Sequence, residues 1–116
     1  MTGVQTCALP ILRDYRHIIL MGDLNCRSDS PEMGTLLATA QLCEPVPGLQ
    51  TFPSWQPDRH LDHILVSPSI AVERVEVLNH VFSDHLPIAM EVRLPEECKV
   101  RELEDKDRIE ELHSLL

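Results

Sequence analysis

The chain of 116 residues is long enough for at most one modest domain, and 43% of its residues are hydrophobic, as in an ordinary globular protein. Its formal charge of −9 argues against strong non-specific binding of nucleic acid, although a divalent cation can offset negative charge locally. No apolar run is long enough to span a bilayer, and the four cysteines lack metal-finger spacing, which favours a reducing, cytoplasmic location.

Residues 1–11 are atypical of the start of a domain. Their sequence, MTGVQTCALPI, resembles the translation of a common sequencing-library adapter in one reading frame. We therefore expect an artefactual or disordered leader, with the natural sequence beginning near Leu12. The alternative is a genuine flexible N-terminus.

A short apolar run at residues 18–21, closed by Gly22, predicts a buried β-strand. Asp23 and Asn25 follow it two residues apart, and in extended chain their side chains would project to the same side. A carboxylate and a carboxamide at the end of a rigid strand suit chemistry. The alternative is that both are ordinary turn residues.

A helix is predicted next. Ser30 has the character of an N-cap, and Pro31 suits the first helical position. One apolar face then follows at helical spacing, formed by Met33, Leu36, Leu37 and Ala40. The helical pattern ends near Leu42.

Residues 43–50 contain two prolines and a glycine, which predicts a loop. Residues 51–55 could form a short strand after it. Trp55 in this stretch could stack on a base or a sugar, or it could cover the edge of the core.

Three further strands are predicted at residues 60–67, 72–78 and 88–94. The first is largely apolar, which indicates burial, and a charged Asp62 inside it needs a partner. The other two strands alternate, so each is expected to have one solvent-exposed face.

Residues 96–116 are highly charged, and their apolar residues recur at loosely helical spacing. Two glutamates precede basic residues by four positions, which favours a solvent-exposed helix. A partner-binding helix is the alternative, and the sequence identifies no partner for it.

Three motifs, in this order, resemble the endonuclease/exonuclease/phosphatase superfamily, which includes deoxyribonuclease-like enzymes. They are GDLN at residues 22–25, LDHILVS at 61–67 and SDHLPI at 83–88, and TFPSW at 51–55 fits the family too. The resemblance implies that residues 12–95 are the C-terminal half of a four-layer α/β sandwich. That half would hold a mostly antiparallel sheet with a flanking helix.

The resemblance also implies roles for residues of the first and last motifs. Asp23 matches the aspartate that orients and activates the attacking water, and Asn25 matches the asparagine that binds phosphate and helps fix that aspartate. Asp84 matches a carboxylate of the metal site. The implied cofactor is Mg²⁺, or Mn²⁺, because both prefer oxygen ligands.

By the same resemblance, Asp62 matches the aspartate that pairs with His85, and His85 matches the histidine that contacts the scissile phosphate. The pairing also has a physical motive. A carboxylate on a buried strand needs a partner, and it would hold the imidazole in one tautomer and raise its pKa. Thr51 is a further candidate that would support the phosphate site.

The chain departs from the family in two respects. His60 stands where the family often has an arginine before the aspartate of the motif. The family's N-terminal half, with an early asparagine and the glutamate that binds the metal, has no counterpart here. We therefore expect a truncated enzyme that is inactive by itself.

A zinc site can be considered at four of the six histidines of the chain, His60, His63, His80 and His85. Only His60 and His63 have suggestive spacing. Residues three apart in an extended strand face opposite ways, so we do not expect a zinc site.

Three functions are open on this basis. The first is a divalent-metal-dependent phosphodiesterase or endonuclease that hydrolyses its phosphoester by metal-assisted attack of water. The second is a phosphatase acting on lipid or small-molecule phosphates, which the acidic charge mildly favours. The third is a non-catalytic interaction domain on the same scaffold, against which the complete set of polar motif residues argues.

Overall fold

The computed structural model describes residues 10–98. Most of the expected leader and of the expected charged tail helix therefore lies outside the described residues. One helix and four strands position the site, in the order β1 (Ile19–Asp23), α1 (Pro31–Ala40), β2 (Asp62–Val66), β3 (Ala71–Val77) and β4 (Ile88–Arg93).

All strand pairing is antiparallel: β1 pairs with β2, and β3 pairs with β4. The two sheets touch where β2 contacts β4, without strand hydrogen bonds between them. The sequence favoured about one sheet. The segment just before β4 makes no backbone hydrogen bond to β2. The Leu86 amide donates instead to the Thr51 carbonyl, and Pro87 has no amide hydrogen to donate. The mixed helix and antiparallel strands confirm the predicted fold class.

The predicted strands are present with ends shifted by no more than two residues, but two expectations are wrong. Residues 51–55 form no strand and make only a single bridge, between Phe52 and Arg59. Strand β1 was expected to be buried, yet Met21 in it is 64% exposed. Met21 lies on the face of β1 that points away from the core, whereas its neighbour Leu20 packs half-buried against the core on the other face.

Helix α1 begins as predicted. The Ser30 hydroxyl accepts a hydrogen bond from the Met33 amide at 3.2 Å, and Pro31 occupies the first helical position, where no amide hydrogen is needed. The helix ends at Ala40, slightly earlier than predicted, because Gln41 adopts the left-handed conformation with φ of 55°. No helix within the described part of the chain has the length and apolar character needed to cross a bilayer.

The main hydrophobic core lies between α1 and the first sheet. Its buried members are Leu24, Met33, Leu36, Leu42 and Leu65. Two of the four predicted helix-face residues are thus fully buried, and the other two pack against this core half-buried. The amphipathic pattern of α1 is explained by packing alone.

Replacing Met33 by alanine is expected to lower the free energy of unfolding by about 2–5 kcal/mol, because the fully buried side chain would leave a cavity. Met21→Ala, the same substitution at an exposed position, should change it by less than about 0.5 kcal/mol. Urea denaturation of both variants measures the difference. Equal losses would contradict the placement of Met33 in the core.

Candidate active site

Three side chains from the three sequence motifs meet at one end of the first sheet. Asp23 is the last residue of β1, Asp62 is the first residue of β2, and the two face each other in the strand register. His85 comes from the loop before β4. One ligand atom from each of the three side chains lies within 4.8 Å of the other two.

Asp62 is the centre of this group. Its Oδ2 accepts a hydrogen bond from His85 Nδ1 at 2.7 Å and another from the Thr51 hydroxyl at 2.5 Å. Thr51 is fully buried, and the side chain of Asp62 is only 21% exposed. A carboxylate in such surroundings is costly without partners, and these two donors supply them. Thr51, expected near the phosphate, therefore supports the site through Asp62.

The pKa of His85 is raised above its ordinary value of 6.5. The main cause is the hydrogen bond to Asp62. Burial opposes it, and the negative charges of Asp62, Asp23 and Asp84 add to the rise. Since Nδ1 is bonded to Asp62, the second nitrogen, Nε2, is the one available to a ligand. It lies 3.8 Å from Asp23 Oδ2, beyond hydrogen-bond distance.

The turn after β1 fixes the Asp23 carboxylate. Gly22 has φ of 152°, a conformation that other residues rarely adopt. Asp23 Oδ1 accepts a hydrogen bond from the Asn25 amide at 2.8 Å, which is a typical Asx turn. Asn25 itself is left-handed, with φ of 51°. The expectation that Asp23 and Asn25 project together from extended chain is therefore wrong, because the strand has ended between them.

The other predicted site residues lie at the margin. The side chain of Asn25 is not among those that line the cleft described below. Asp84 is exposed, and its carbonyl accepts a hydrogen bond from the Ser54 amide at 2.8 Å. The carboxylate of Asp84 is not in the group formed by Asp23, Asp62 and His85. The phosphate-binding role of Asn25 and the metal-binding role of Asp84 stay predictions.

A cleft of about 350 Å³ opens over the three side chains. Met21, Phe82 and Pro87 contribute to its walls, and none of the described residues that line it is Lys or Arg. Trp55 does not line it and is 74% exposed, so it does not cover the edge of the core either. A larger hollow of about 600 Å³ is lined by none of Asp23, Asp62 and His85, so volume alone does not locate the site.

Comparison with known proteins agrees with the motifs. The family model described as "Endonuclease/Exonuclease/phosphatase family" matches residues 8–85. The chain belongs to the endonuclease/exonuclease/phosphatase family. No curated protein matches the chain. Among solved structures it is similar to a mannosyl-6-phosphatase from Bacteroides thetaiotaomicron, with a TM-score of 0.64 and 24% sequence identity over 80% of this chain.

The chain spans 44% of the length of that solved phosphatase. At this level of identity the likeness shows the fold alone. The predicted superfamily is confirmed by the family model. The endonuclease/exonuclease/phosphatase family is in general divalent-metal dependent, and the group of Asp23, Asp62 and His85 is one of two places where the described residues of this member could hold an ion.

A second polar cluster in this family member was missed by the sequence analysis. His63 Nδ1 lies 2.5 Å from Glu44 Oε2, and His63 Nε2 lies 2.7 Å from the Cys26 carbonyl oxygen. The His60 ring stacks on the His63 ring with centroids 4.3 Å apart. The expectation that these two histidines face opposite ways is wrong, because His60 precedes β2 and is not in extended strand.

The three titratable side chains of this cluster are shifted in different directions. Burial works to lower the pKa of His63, but hydrogen bonds to Glu44 and to the Cys26 carbonyl outweigh it and raise the pKa. Burial, with the neighbouring charge of His63, lowers the pKa of His60. Burial works to raise the pKa of Glu44, but hydrogen bonds led by that from His63 lower it. The cluster thus favours a charged His63–Glu44 pair beside a neutral His60.

Proposed function

We propose that this chain is part of a divalent-metal-dependent hydrolase that cleaves a phosphoester bond. The observation that carries the proposal is the group of Asp23, Asp62 and His85 at the floor of an open cleft. Hydrolysis of a phosphoester needs an oriented water, neutralisation of the developing charge and protonation of the leaving oxygen. Two carboxylates and an imidazole with a raised pKa suit these three tasks.

In this proposal Asp23 orients the attacking water and accepts its proton. The Asx turn supports that role, because the Asn25 amide holds Oδ1 and leaves Oδ2 toward His85. His85 donates the proton on Nε2 to the phosphoryl group or the leaving oxygen. Asp62 keeps the imidazole protonated and oriented through Nδ1.

The oxygen donors of the site fit Mg²⁺ or Mn²⁺. Asp23 is half-exposed, and Asp62 Oδ1 is not used by the Thr51 and His85 hydrogen bonds, which both go to Oδ2. An ion held by one or two carboxylates keeps several waters, for which an open cleft leaves space. When bound, the cation would neutralise negative charge on the phosphoryl group. Asp84 is proposed as a further ligand.

Within this reaction class we propose a small phosphomonoester as the substrate. A long phosphodiester needs several cationic contacts, whereas the described cleft lining contains no Lys or Arg and the chain carries a formal charge of −9. The solved relative is a mannosyl-6-phosphatase, whose name supports the same class. Hydrolysis of a phosphodiester or nucleic acid, the first function favoured by the sequence, is the competing proposal.

We also propose that the chain supplies only the C-terminal half of the catalytic domain. Its span of 44% of the solved phosphatase supports this. The chain alone should then bind phosphate weakly and turn over no substrate. An in-frame genomic extension upstream of Leu12 should contain the missing asparagine and glutamate.

The test is an assay of this chain and of the upstream-extended protein with Mg²⁺. The substrates are mannose 6-phosphate, a phosphoinositide, a bis-aryl phosphate and plasmid DNA. We expect the extended protein to release inorganic phosphate from mannose 6-phosphate and to leave plasmid DNA intact. Cleavage of the diester or of DNA, without monoester hydrolysis, would favour the nuclease. A folded extended protein that cleaves none of the four would favour the non-catalytic domain.

A further inference from the structure

We infer that His63 and Glu44 form a buried clamp that fixes the turn carrying Asp23 against the strand carrying Asp62, so that His63 is a positioning residue. The catalytic consequence of the clamp rests on the proposed function. The clamp itself determines how well ordered the turn is, which can be measured without substrate.

The hydrogen bonds around Asn25 show how the turn is fixed. On one side, the Leu24 amide donates to the Leu61 carbonyl at 3.1 Å. On the other side, His63 Nε2 lies 2.7 Å from the Cys26 carbonyl oxygen. The two residues that flank Asn25 are thus bonded to the two residues that flank Asp62. These bonds set the spacing between the turn after β1 and the start of β2.

Glu44 makes the His63 bond a strong one. Both ring nitrogens of His63 face an oxygen acceptor, Glu44 Oε2 at 2.5 Å and the Cys26 carbonyl at 2.7 Å, so both act as donors. A hydrogen bond from a charged imidazole to a carbonyl is stronger than one between neutral groups. Because His63 and the Glu44 side chain are both more than nine-tenths buried, water does not compete for either contact.

His60 fixes the backbone of the loop that carries Glu44. Its Nδ1 accepts hydrogen bonds from the Gly48 amide at 3.0 Å and the Leu49 amide at 3.1 Å, which ties the loop that begins with Glu44 to the start of β2. Those two donors require a neutral ring with Nδ1 unprotonated. A neutral ring can stack on the charged His63 without repulsion, at the observed 4.3 Å.

The same cluster can be considered as a metal site, since Glu44, His60 and His63 each offer a ligand atom within 4.8 Å of the others. Glu44 Oε1 is buried without a hydrogen-bond partner, 4.0 Å from His60 Nδ1. The hydrogen bonds argue against a metal, because His60 Nδ1 already accepts two amides and both nitrogens of His63 are occupied. Zinc binding by Glu44, His60 and His63 would therefore contradict the clamp, and the experiment below tests for it.

The deciding variant is Glu44→Met with His63→Phe. Replacing a buried ion pair by apolar residues of similar volume usually preserves the fold, while it removes the donor to the Cys26 carbonyl. We expect amide hydrogen exchange in residues 24–28 to become about tenfold faster or more, with β3 and β4 unchanged. In Glu44→Gln the side-chain amide can donate to an unprotonated Nδ1 of a neutral His63. Nε2–H then remains for the Cys26 carbonyl, so this variant should lose less protection than the double variant.

The matched control is Glu73→Met with Arg93→Met, which removes an exposed ion pair between β3 and β4. It should leave exchange in residues 24–28 unchanged. Wild-type exchange in those residues in a folded Glu44→Met/His63→Phe protein would overturn the inference. So would Zn²⁺ binding that alters the nitrogen resonances of His60 and His63 in the wild-type chain. Loss of protection in the variant, together with no phosphoester hydrolysis by a folded upstream-extended protein, would support the clamp and reject the proposed function.

Discussion

In an Asp62→Asn variant, we expect the pKa of His85 to fall back toward its ordinary value and hydrolysis by an active form of the enzyme to drop by about 10²–10⁴-fold. The hydrogen bond to Asp62 is the largest cause of the raised pKa, and an amide supplies no negative charge in its place. The amide oxygen can still accept from the Thr51 hydroxyl, so the fold should persist.

The pH dependence follows from the sign of the shift. His85 can donate a proton only in its protonated form, and its raised pKa increases the protonated fraction at pH values above 6.5. Turnover should therefore fall as pH rises through the pKa of the folded state, and that limb should move to lower pH in Asp62→Asn. Any stability that the His85–Asp62 pair contributes is fully present below pH 6.5, the ordinary pKa of histidine. It is lost as pH rises through the higher pKa of His85 in the folded protein.

Two measurements check the Asp62 prediction. A titration of the His85 ring resonances by NMR reports its pKa in this chain, and a pH–rate profile reports it in an active form. Asp58→Asn is the matched control, since Asp58 is an exposed aspartate that pairs only loosely with Arg59. An unchanged His85 pKa in Asp62→Asn would contradict the role assigned to the pair.

The parts of the fold that sequence reasoning predicted are those governed by local rules. Ser30 and Pro31 mark a helix start because capping depends on the nearest few residues. The alternating strands at 72–78 and 88–94 are predicted because one face of each packs inward. The three motifs identified the family because their residue types and order are specific even without a structure.

The rest depended on contacts between distant segments. Burial of β1 could not be judged, because it depends on what covers each face of the strand, and the face that carries Met21 is left open. The stacking of His60 on His63 requires knowing that extended strand begins only at Asp62. Glu44 lies in an irregular loop without periodicity, so no local pattern connected it with His63, nineteen residues away.

The second large effect is expected for Asp23→Asn, which should lower turnover by about 10²–10⁴-fold through loss of the group that orients and deprotonates the water. Asparagine can still accept the Asn25 amide at Oδ1, so the Asx turn should survive. The pKa of His85 should fall less than in Asp62→Asn, because Asp23 acts on it by charge at 3.8 Å without a hydrogen bond.

This difference between the two aspartates separates their roles. If Asp23 worked only by keeping His85 protonated, its loss would cost less activity than the loss of Asp62, and lowering the pH would restore it. If Asp23 acts on the water and the cation, low pH will not rescue Asp23→Asn, and Mn²⁺ will broaden the His85 resonances less than in wild type. Asp29→Asn, in the same exposed loop, should behave as wild type in both measurements. Rescue of Asp23→Asn at low pH would mean that Asp23 acts by keeping His85 protonated. No residue would then be assigned to deprotonate the attacking water.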